Sequence, residues 1–439
     1  MAALRDLLRW GLAAASCGWI VSGAAAHAAI FTVNSRADLA DAVPGDGICA
    51  TASGVCTLRA AVQETNALAG EDTINLPPGV YGLTAGELAI SDDLDLSGAG
   101  SPATVLKSLH PARTLSTTSG ATVTIEGVRV QGGRAELGGG LFNNGTTTLT
   151  NVAFVRNRAL SPAFGLGAAI NNAGTLTLSH VTFSGNRATG GAGAFGGGIY
   201  NTGALDAADV SFTTNFSNGC GGALYNYGGS TTLLRATIGG NRVSNSGGGI
   251  FNQSGSVDVT AATLSHNLAK ESGGAIFTYG EATFTNVTVT ANRAAIGAAV
   301  VSGSSAAVTF ANATVNGNRG TQGGSLFCNS GSITVHNSII AFNRPRNCDG
   351  TTAMTSFGYN IDSGSTCGFA AMGDLNNLDP QLGVLRNNGG ATRTCALLPG
   401  SPAIDAGDNA GCPPTDQRGD PRPAGAVPIC DMGAYEVQP

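Results

Sequence analysis

The chain has 439 residues, of which only 11% are charged and 66 are glycines, and its formal net charge is −6. Soluble proteins are typically about 25% charged, but Val, Ile, Leu and Phe recur throughout, so the composition excludes a disordered chain. An acidic protein whose only lysines are Lys107 and Lys270 is a poor candidate for nucleic-acid binding. This composition favours a β-rich repeat protein whose turns need small residues.

Residues 1–28 have the features of a secretory signal peptide. Two arginines lie in the first nine residues, an apolar run follows at 10–21, and Ala26-His27-Ala28 forms an A-x-A cleavage site. A membrane anchor or a lipoprotein signal ending at Cys17 is a weaker alternative. No later apolar run reaches the ~18 residues that span a bilayer. We therefore expect an exported protein that is extracellular or on the cell surface, where it could associate with the outer membrane. After cleavage we expect no transmembrane segment.

Cleavage leaves nine cysteines, which an oxidising compartment would pair. Short sequence separations favour three disulfides: Cys49 with Cys56, Cys348 with Cys367, and Cys412 with Cys430. Cys220, Cys328 and Cys395 remain unassigned, and the odd count leaves at least one thiol without an intrachain partner.

Residues 29–100 are predicted to form an N-terminal cap followed by the first strands. Apolar residues in 58–68 fit a short amphipathic helix, with strands at 73–76 and 88–96. An array of stacked strands exposes an unpaired edge at each end, so such a helix would cover the first coil.

Residues 101–343 repeat with a spacing of 24 to 29 residues, which is typical of a solenoid. An aliphatic residue after a glycine-rich turn recurs at Leu141, Ile170, Ile199, Leu224, Ile250, Ile276, Val300 and Leu326. An asparagine recurs at Asn157, Asn186, Asn215, Asn241, Asn267, Asn292, Asn318 and Asn343. Asparagine tolerates left-handed backbone, and its amide can bond to the next one in a stack, so we assign this second series a structural role.

Each repeat contains short alternating β segments and no room for a helix. In 167–186 the segments are AAIN, TLTL and VTF, with glycines blocking helix formation between coils. We therefore predict an all-β, right-handed, single-stranded parallel β-helix, the hand following the general rule for parallel crossovers. A leucine-rich repeat is the structural alternative, because 178–186 fits LxxLxLxxN; the segment GGGIYN, however, occupies the place of its helix.

Two rows of side chains could face solvent and bind a ligand. The first is aromatic and follows the aliphatic position: Phe142, Tyr200, Tyr225, Phe251, Phe277 and Phe327. The second is basic and follows the asparagine: Arg158, Arg187, Arg242, Arg293, Arg319 and Arg344. Aromatic rings could stack on sugars, and arginines could bind an anionic glycan. The structural alternatives are rings that stack on one another or lie under loops, and arginine stems that cover turns.

Residues 344–439 lose the repeat and gain proline, and six cysteines lie between 328 and 430. We predict a disulfide-containing C-terminal cap.

Three stretches resemble known bacterial exported domains. GVCTLRAAVQETNA (54–67), with its flanking segments between 31 and 84, resembles the CSLREA-type N-terminal domain, with Thr57 for Ser and Ala60 for Glu. The tail LLPGSPAIDAG…TDQRGDPRP…CDMGAYE (397–436) resembles the choice-of-anchor Q domain, and the GGAL, GGAI and FxxN segments are similar to repeats of polymorphic outer-membrane proteins. These resemblances imply an extracellular or surface β-helix.

No catalytic arrangement is evident in the sequence. The aspartates at 92 and 93 precede the regular coils, and the acids of the coils (Asp206, Asp209, Asp258, Glu271 and Glu281) are expected at unmatched positions. The histidines at 110, 180, 266 and 336 fall in different coils. The sequence predicts no metal site and no cofactor.

We therefore expect a non-enzymatic binding or adhesion protein, with a polysaccharide or cell-surface glycan as partner. The alternative is a divergent polysaccharide lyase or glycoside hydrolase of the pectate-lyase-like fold. The oligomeric state is not predicted.

Overall fold

A computed structural model describes residues 28–424 and 428–439, and they form an all-β parallel solenoid. All but the last residue of the predicted signal peptide lies outside the described residues. In the part of the chain that the structure describes, no helix has both the length and the apolar character needed to cross a bilayer.

The strands form because apolar and polar residues alternate over short segments bounded by turns. In Thr175–Ser179 the two leucines are buried and the alternate threonines are exposed, which is the pattern of a strand with one face on a core. Each strand pairs in parallel and in register with the equivalent strand of the next coil. Phe154, Phe183 and Phe212 consequently stack inside the solenoid with ring centroids 5.4 and 4.5 Å apart.

The largest sheet, sheet I, has 22 strands and contributes two strands or one long strand to most coils. Its strands are Ile30–Thr32, Asp72–Leu76, Leu88–Ile90, Leu94–Gly98, Leu115–Thr117, Thr122–Glu126, Leu141–Asn143, Thr146–Thr150, Ile170–Asn172, Thr175–Ser179, Ile199–Asn201, Ala204–Ala208, Leu224–Leu234, Ile250–Thr260, Ile276–Thr278, Glu281–Thr285, Val300–Ser302, Ala307–Ala311, Arg319–Cys328, Ser332–His336, Arg344–Gly350 and Thr355–Ser356.

Sheet II has 13 strands, one in each coil. They are Gly79–Leu83, Thr104–Ser108, Arg129–Gln131, Ala153–Val155, Thr182–Ser184, Ser211–Thr213, Thr237–Gly239, Thr263–Ser265, Thr288–Thr290, Thr314–Asn316, Ile339–Ala341, Ile361–Asp362 and Leu375–Asn376.

Sheet III has six short strands, and a separate two-stranded sheet lies beside it. The strands of sheet III are Arg134–Ala135, Arg158–Ser161, Arg187–Gly190, Phe216–Ser217, Arg242–Val243 and Leu268–Ala269, and the small sheet pairs Phe164–Leu166 with Gly193–Phe195.

A helix at Leu58–Thr65 lies in the N-terminal region, as predicted. Thr57 caps it by accepting a hydrogen bond from the amide of Ala60. Arg59 donates to Asp38 and to the carbonyls of Gly86 and Glu87, while the Glu64 carboxylate accepts from the amide of Gly45 at 2.7 Å. These charged helix residues therefore satisfy the backbone of the loops around the first coils.

The solenoid extends beyond residue 343, where the sequence suggested that the C-terminal cap begins. Strands up to Leu375–Asn376 continue sheets I and II. The following chain then turns back along the outer face of sheet II, and we call residues 392–424 and 428–436 the C-terminal strap. Gln417 donates to Thr263 at 3.0 Å and accepts from Thr288 at 2.6 Å, and the amide of Ala434 donates to Thr314 at 3.0 Å. The strap thus connects successive coils from the side.

The three disulfides predicted from short sequence separations are present: Cys49–Cys56, Cys348–Cys367 and Cys412–Cys430. Cys220, Cys328 and Cys395 are free.

The asparagine series forms a continuous buried ladder. From Asn186 onward, each Oδ1 accepts hydrogen bonds from both the backbone amide and the side-chain amide of the preceding ladder asparagine, at 2.9–3.1 Å. A second ladder, which the sequence reasoning missed, runs along sheet I through Asn143, Asn172, Asn201, Asn226 and Asn252. Each ladder fixes the register between coils.

Candidate functional site

An arginine ladder runs along the outer face of sheet III and continues onto two strands of sheet I. Successive residues pair in parallel register from coil to coil. In order, the nine positions are Arg134, Arg158, Arg187, Phe216, Arg242, Leu268, Arg293, Arg319 and Arg344. All seven arginines are exposed.

Alternation along each short strand directs these arginines outward. Before six of the seven arginines, the preceding asparagine is buried in the ladder described above, and after four of them a small residue (Ala159, Ala188, Val243 or Ala294) is buried as well. Val243, Ala269 and Ala294 form one such small apolar cluster beneath the arginines. The sequence pattern Asn-Arg-small therefore anchors both flanks of the arginine and leaves its side chain on the surface.

A shallow groove of about 770 Å³ follows the middle of the ladder. Its cationic lining groups are Arg187, Arg242, Lys270, Arg293 and Arg319, and none of the described residues that line it is acidic. The floor is apolar: the half-buried Leu268 lines it, together with the buried Val243, Ala269 and Ala294. The groove thus combines a row of positive charges with an apolar strip.

The charges of the ladder are not neutralised internally. In the described chain, the ion pairs involve other arginines, and none of the seven ladder guanidinium groups takes part in one. Arg187 instead lies over the ring of Phe216, with its guanidinium carbon 4.4 Å from the centroid, an arrangement in which the ring face attracts a cation. The guanidinium N–H groups of the ladder arginines therefore remain available to bind an anion.

The sequence located five of these arginines as candidate ligand-binding residues and a sixth, Arg344, as a member of the same row. Arg134 was missed because Gly133, and not an asparagine, precedes it. The amide of Gly133 nevertheless donates to Asn157 Oδ1 at 2.9 Å, as a ladder asparagine would. Extending the repeat 24 residues back from Arg158 reaches Arg134, so the period alone could have identified it.

The aromatic row lies outside the main core but is largely covered, so the expected exposed stripe is wrong for three of its rings. Tyr225, Phe251 and Phe277 are 5%, 6% and 8% exposed. Tyr200, Tyr225, Phe251 and Phe277 stack with successive centroids 5.4, 5.1 and 5.1 Å apart. Burial is also the main cause that raises the pKa of Tyr225 far above its ordinary value. The structure therefore favours the alternative in which the rings stack on one another.

Asn171 and Val301 interrupt the aromatic row, since they occupy the equivalent positions in their own coils. Tyr227, which packs beside Tyr200 with centroids 6.5 Å apart, is 53% exposed. This ring was not predicted as a candidate from the sequence, because it lies two residues beyond the repeated aromatic position.

Two of the acids occur at matched positions, which corrects the sequence expectation. Asp206 pairs with Thr232, and Thr232 pairs with Asp258, so the two aspartates lie two coils apart on one exposed row of sheet I. Asp209 instead binds Arg235 at 2.6–2.7 Å, and that hydrogen bond lowers the pKa of its carboxyl. Among the described residues, no three or more His, Cys, Asp or Glu side chains are grouped as a metal site would need.

Comparisons with known proteins place the chain in no family. Its sequence matches no family model and no curated protein sequence. Among solved structures, a crystal structure of pectate lyase Pel9A is similar, with 16% identity and a TM-score of 0.41 over 94% of this chain and 98% of that chain. The strand pairing described above, and not this similarity, defines the fold. The resemblances to the CSLREA-type and choice-of-anchor Q domains remain predictions.

Proposed function

We propose that this protein binds an anionic polysaccharide along the arginine ladder and does not cleave it. The observation that carries the proposal is the groove of about 770 Å³ in which four ladder arginines and Lys270 converge without an acidic neighbour in the lining. A row of unpaired cations on a protein of net charge −6 is a local feature and not a consequence of overall composition.

The spacing of the ladder suits an extended polymer better than a small anion. Adjacent strands of a sheet are about 4.8 Å apart, so neighbouring arginines present one guanidinium per rung at that spacing. A sugar residue in an extended polyuronate advances its chain by a comparable distance. Successive carboxylates or sulfates of such a polymer can therefore meet successive arginines, each through two parallel hydrogen bonds.

The two interruptions of the ladder also fit a sugar polymer. Phe216 and Leu268 replace arginine at single rungs and place an apolar surface between the cations. The CH faces of sugar rings pack on such surfaces, whereas their charged groups bind the arginines on either side. The mutual repulsion of neighbouring arginines, roughly 0.9 kcal/mol per pair in water before screening by salt, would fall when the polymer neutralises them.

Binding and cleavage can be measured on the same protein. Purified chain is titrated with polygalacturonate, alginate, heparin and neutral dextran by isothermal calorimetry, and the release of new sugar ends is followed in parallel. We expect binding to at least one anionic polymer, loss of that binding as salt increases, no binding to dextran and no new ends.

The test variant is the triple change R242Q, R293Q and R319Q, which removes three charges from the groove. The matched control is R156Q, R386Q and R393Q, three exposed arginines outside the ladder. We expect the first triple to weaken binding at least tenfold and the control less than twofold. If both variants weaken binding equally, binding depends on overall charge and not on the ladder. If new sugar ends are released, the protein is an enzyme. Either result contradicts the proposal.

A further inference from the structure

A buried carboxylate near the N-terminus lacks a full set of partners. Asp72 begins the second strand of sheet I and is 0% exposed. Its Oδ1 accepts a hydrogen bond from the backbone amide of Ala29 at 2.8 Å, while Oδ2 has no hydrogen-bond partner among the described residues. An ionised carboxylate that is removed from water needs an opposite charge or several donors.

The surroundings of Asp72 oppose its ionisation. Burial raises the pKa of this carboxyl, the amide of Ala29 lowers it, and the like charge of Asp92 raises it further. A positive charge beside Asp72 would counter both effects that raise its pKa.

The backbone holds the nitrogen of Ala29 at that carboxylate. The carbonyl of Ala29 accepts from the amide of Thr73 at 2.8 Å, and the strand Ile30–Thr32 pairs in register with residues 73–75. The position of this nitrogen thus follows from the strand pairing.

We propose that cleavage between Ala28 and Ala29 creates an α-ammonium group that forms a buried ion pair with Asp72. The inference rests on the cleavage site predicted from Ala26-His27-Ala28 and is independent of polysaccharide binding. In the cleavage, an endopeptidase of the export machinery hydrolyses the 28–29 peptide bond. Water supplies the hydroxyl to the carbonyl carbon of Ala28 and a proton to the nitrogen of Ala29, which takes up a second proton at neutral pH.

The new terminus supplies what Asp72 lacks. A backbone amide offers one N–H, whereas an ammonium offers three and carries a positive charge. The same nitrogen can therefore serve both carboxylate oxygens. Removal of the leader would in this way convert an unfavourable buried acid into an ion pair that fastens the first strand to the solenoid.

Four proteins test the proposal: the exported mature chain, a chain that retains Ala28 as one extra residue, and D72N in each background. N-terminal sequencing of the exported protein is expected to begin at Ala29. We expect the extra residue to lower the melting temperature by about 5 °C. D72N should lower it by a similar amount in the mature chain and should leave it unchanged or raise it in the extended chain, because there it removes a charge that has no partner.

D95N is the matched control, because Asp95 lies on the adjacent strand opposite Thr73 and is only half-buried. We expect its effect to be the same in both backgrounds. If mature D72N does not fold, the α-amino pKa of the mature wild-type chain tests the ion pair instead, since an ion pair would raise this pKa above the ordinary ~8. The inference is overturned by an N-terminus other than Ala29, by equal effects of D72N in both backgrounds, or by an ordinary α-amino pKa.

Discussion

The asparagine ladder makes the stability of the solenoid sensitive to a single amide in its interior. Asn241 is 0% exposed, and its Oδ1 accepts from the backbone and side-chain amides of Asn215 at 3.0 Å. Its Nδ2 donates to the carbonyl of Phe212 at 2.9 Å and to Asn267 at 3.0 Å. N241A removes all four hydrogen bonds.

The cost can be worked out group by group. The Asn215 side chain keeps its bond to Phe183, and Asn267 Oδ1 keeps the backbone amide of residue 241. The backbone amide of Asn215 loses its only partner in the interior, whereas the carbonyl of Phe212 keeps the partner that its strand register in sheet II gives it. At about 1–3 kcal/mol for a buried group left without a partner, N241A should lower the free energy of unfolding by about 1–3 kcal/mol.

Urea unfolding followed by circular dichroism in the β-sheet band measures this loss. N144A is the matched control, because Asn144 is exposed and its side chain forms no hydrogen bond within the described residues. The control should change the free energy of unfolding by less than about 0.5 kcal/mol. If N241A is no more destabilising than N144A, the ladder does not hold the coils in register and the reasoning is refuted.

Three further predictions concern other parts of the molecule. Burial raises the pKa of Asp38, but hydrogen bonds from Arg59 and two backbone amides outweigh it and lower the pKa. The contribution of Asp38 to stability is therefore fully present above the unfolded pKa of about 3.9 and is lost as the pH falls through the lowered folded pKa. D38N should consequently reduce the urea midpoint more at pH ~7 than at pH ~3. Replacing Cys348 and Cys367 by serine should lower the free energy of unfolding by about 3 kcal/mol, since the disulfide closes a loop with a sequence separation of 19. Equal urea midpoints for this variant and the wild type would contradict this. Y225F should leave the number of phenols that ionise below pH ~11 unchanged in a spectrophotometric titration, because burial keeps the Tyr225 hydroxyl protonated; loss of one titrating phenol would oppose it.

The repeat period was enough to predict the solenoid, because parallel strands in register require equivalent residues at a nearly fixed spacing. The variation from 24 to 29 residues also has a structural cause. The longest coils carry the extra strands Phe164–Leu166 and Gly193–Phe195, which pair with each other and meet the flanking coils only through single bridges to Leu137 and Cys220. An insertion at one corner therefore leaves the rest of the coil in register.

The surface of the solenoid could be predicted only in part. Strand alternation gives the side of the sheet on which a residue lies. Whether an outward side chain is exposed depends on what else covers it, and alternation does not contain that information. Tyr225 is covered by neighbouring rings, including Phe195, whose centroid lies 4.7 Å away and which comes from an insertion in another coil.

The matched position of Asp206 and Asp258 was missed for a related reason. Thr232 lies between them, so no two adjacent coils carry an acid at this position. The row becomes visible only when every coil is aligned through its strand pairing.

The C-terminal strap was not predictable, because its contacts join residues far apart in the sequence. Gln417 lies 154 residues from Thr263, and no local sequence pattern predicts that a chain will return along the side of a sheet. The residues of the tail motif have a structural use in this arrangement. Arg418 binds Asp416 at 2.8 Å, and Arg422 binds Glu436 at 3.0 Å, with all four side chains buried.

The strap also gives the chain a definite order of assembly. Coils can stack before the chain is complete, since each pairs with its predecessor. The hydrogen bonds of the Thr263, Thr288 and Thr314 hydroxyls, however, can form only after the last fifty residues have been synthesised, because those residues supply the partners. A prematurely terminated product would thus have well-formed coils but no strap on the outer face of sheet II. Quality-control proteases could distinguish it from the finished molecule by that uncovered face alone.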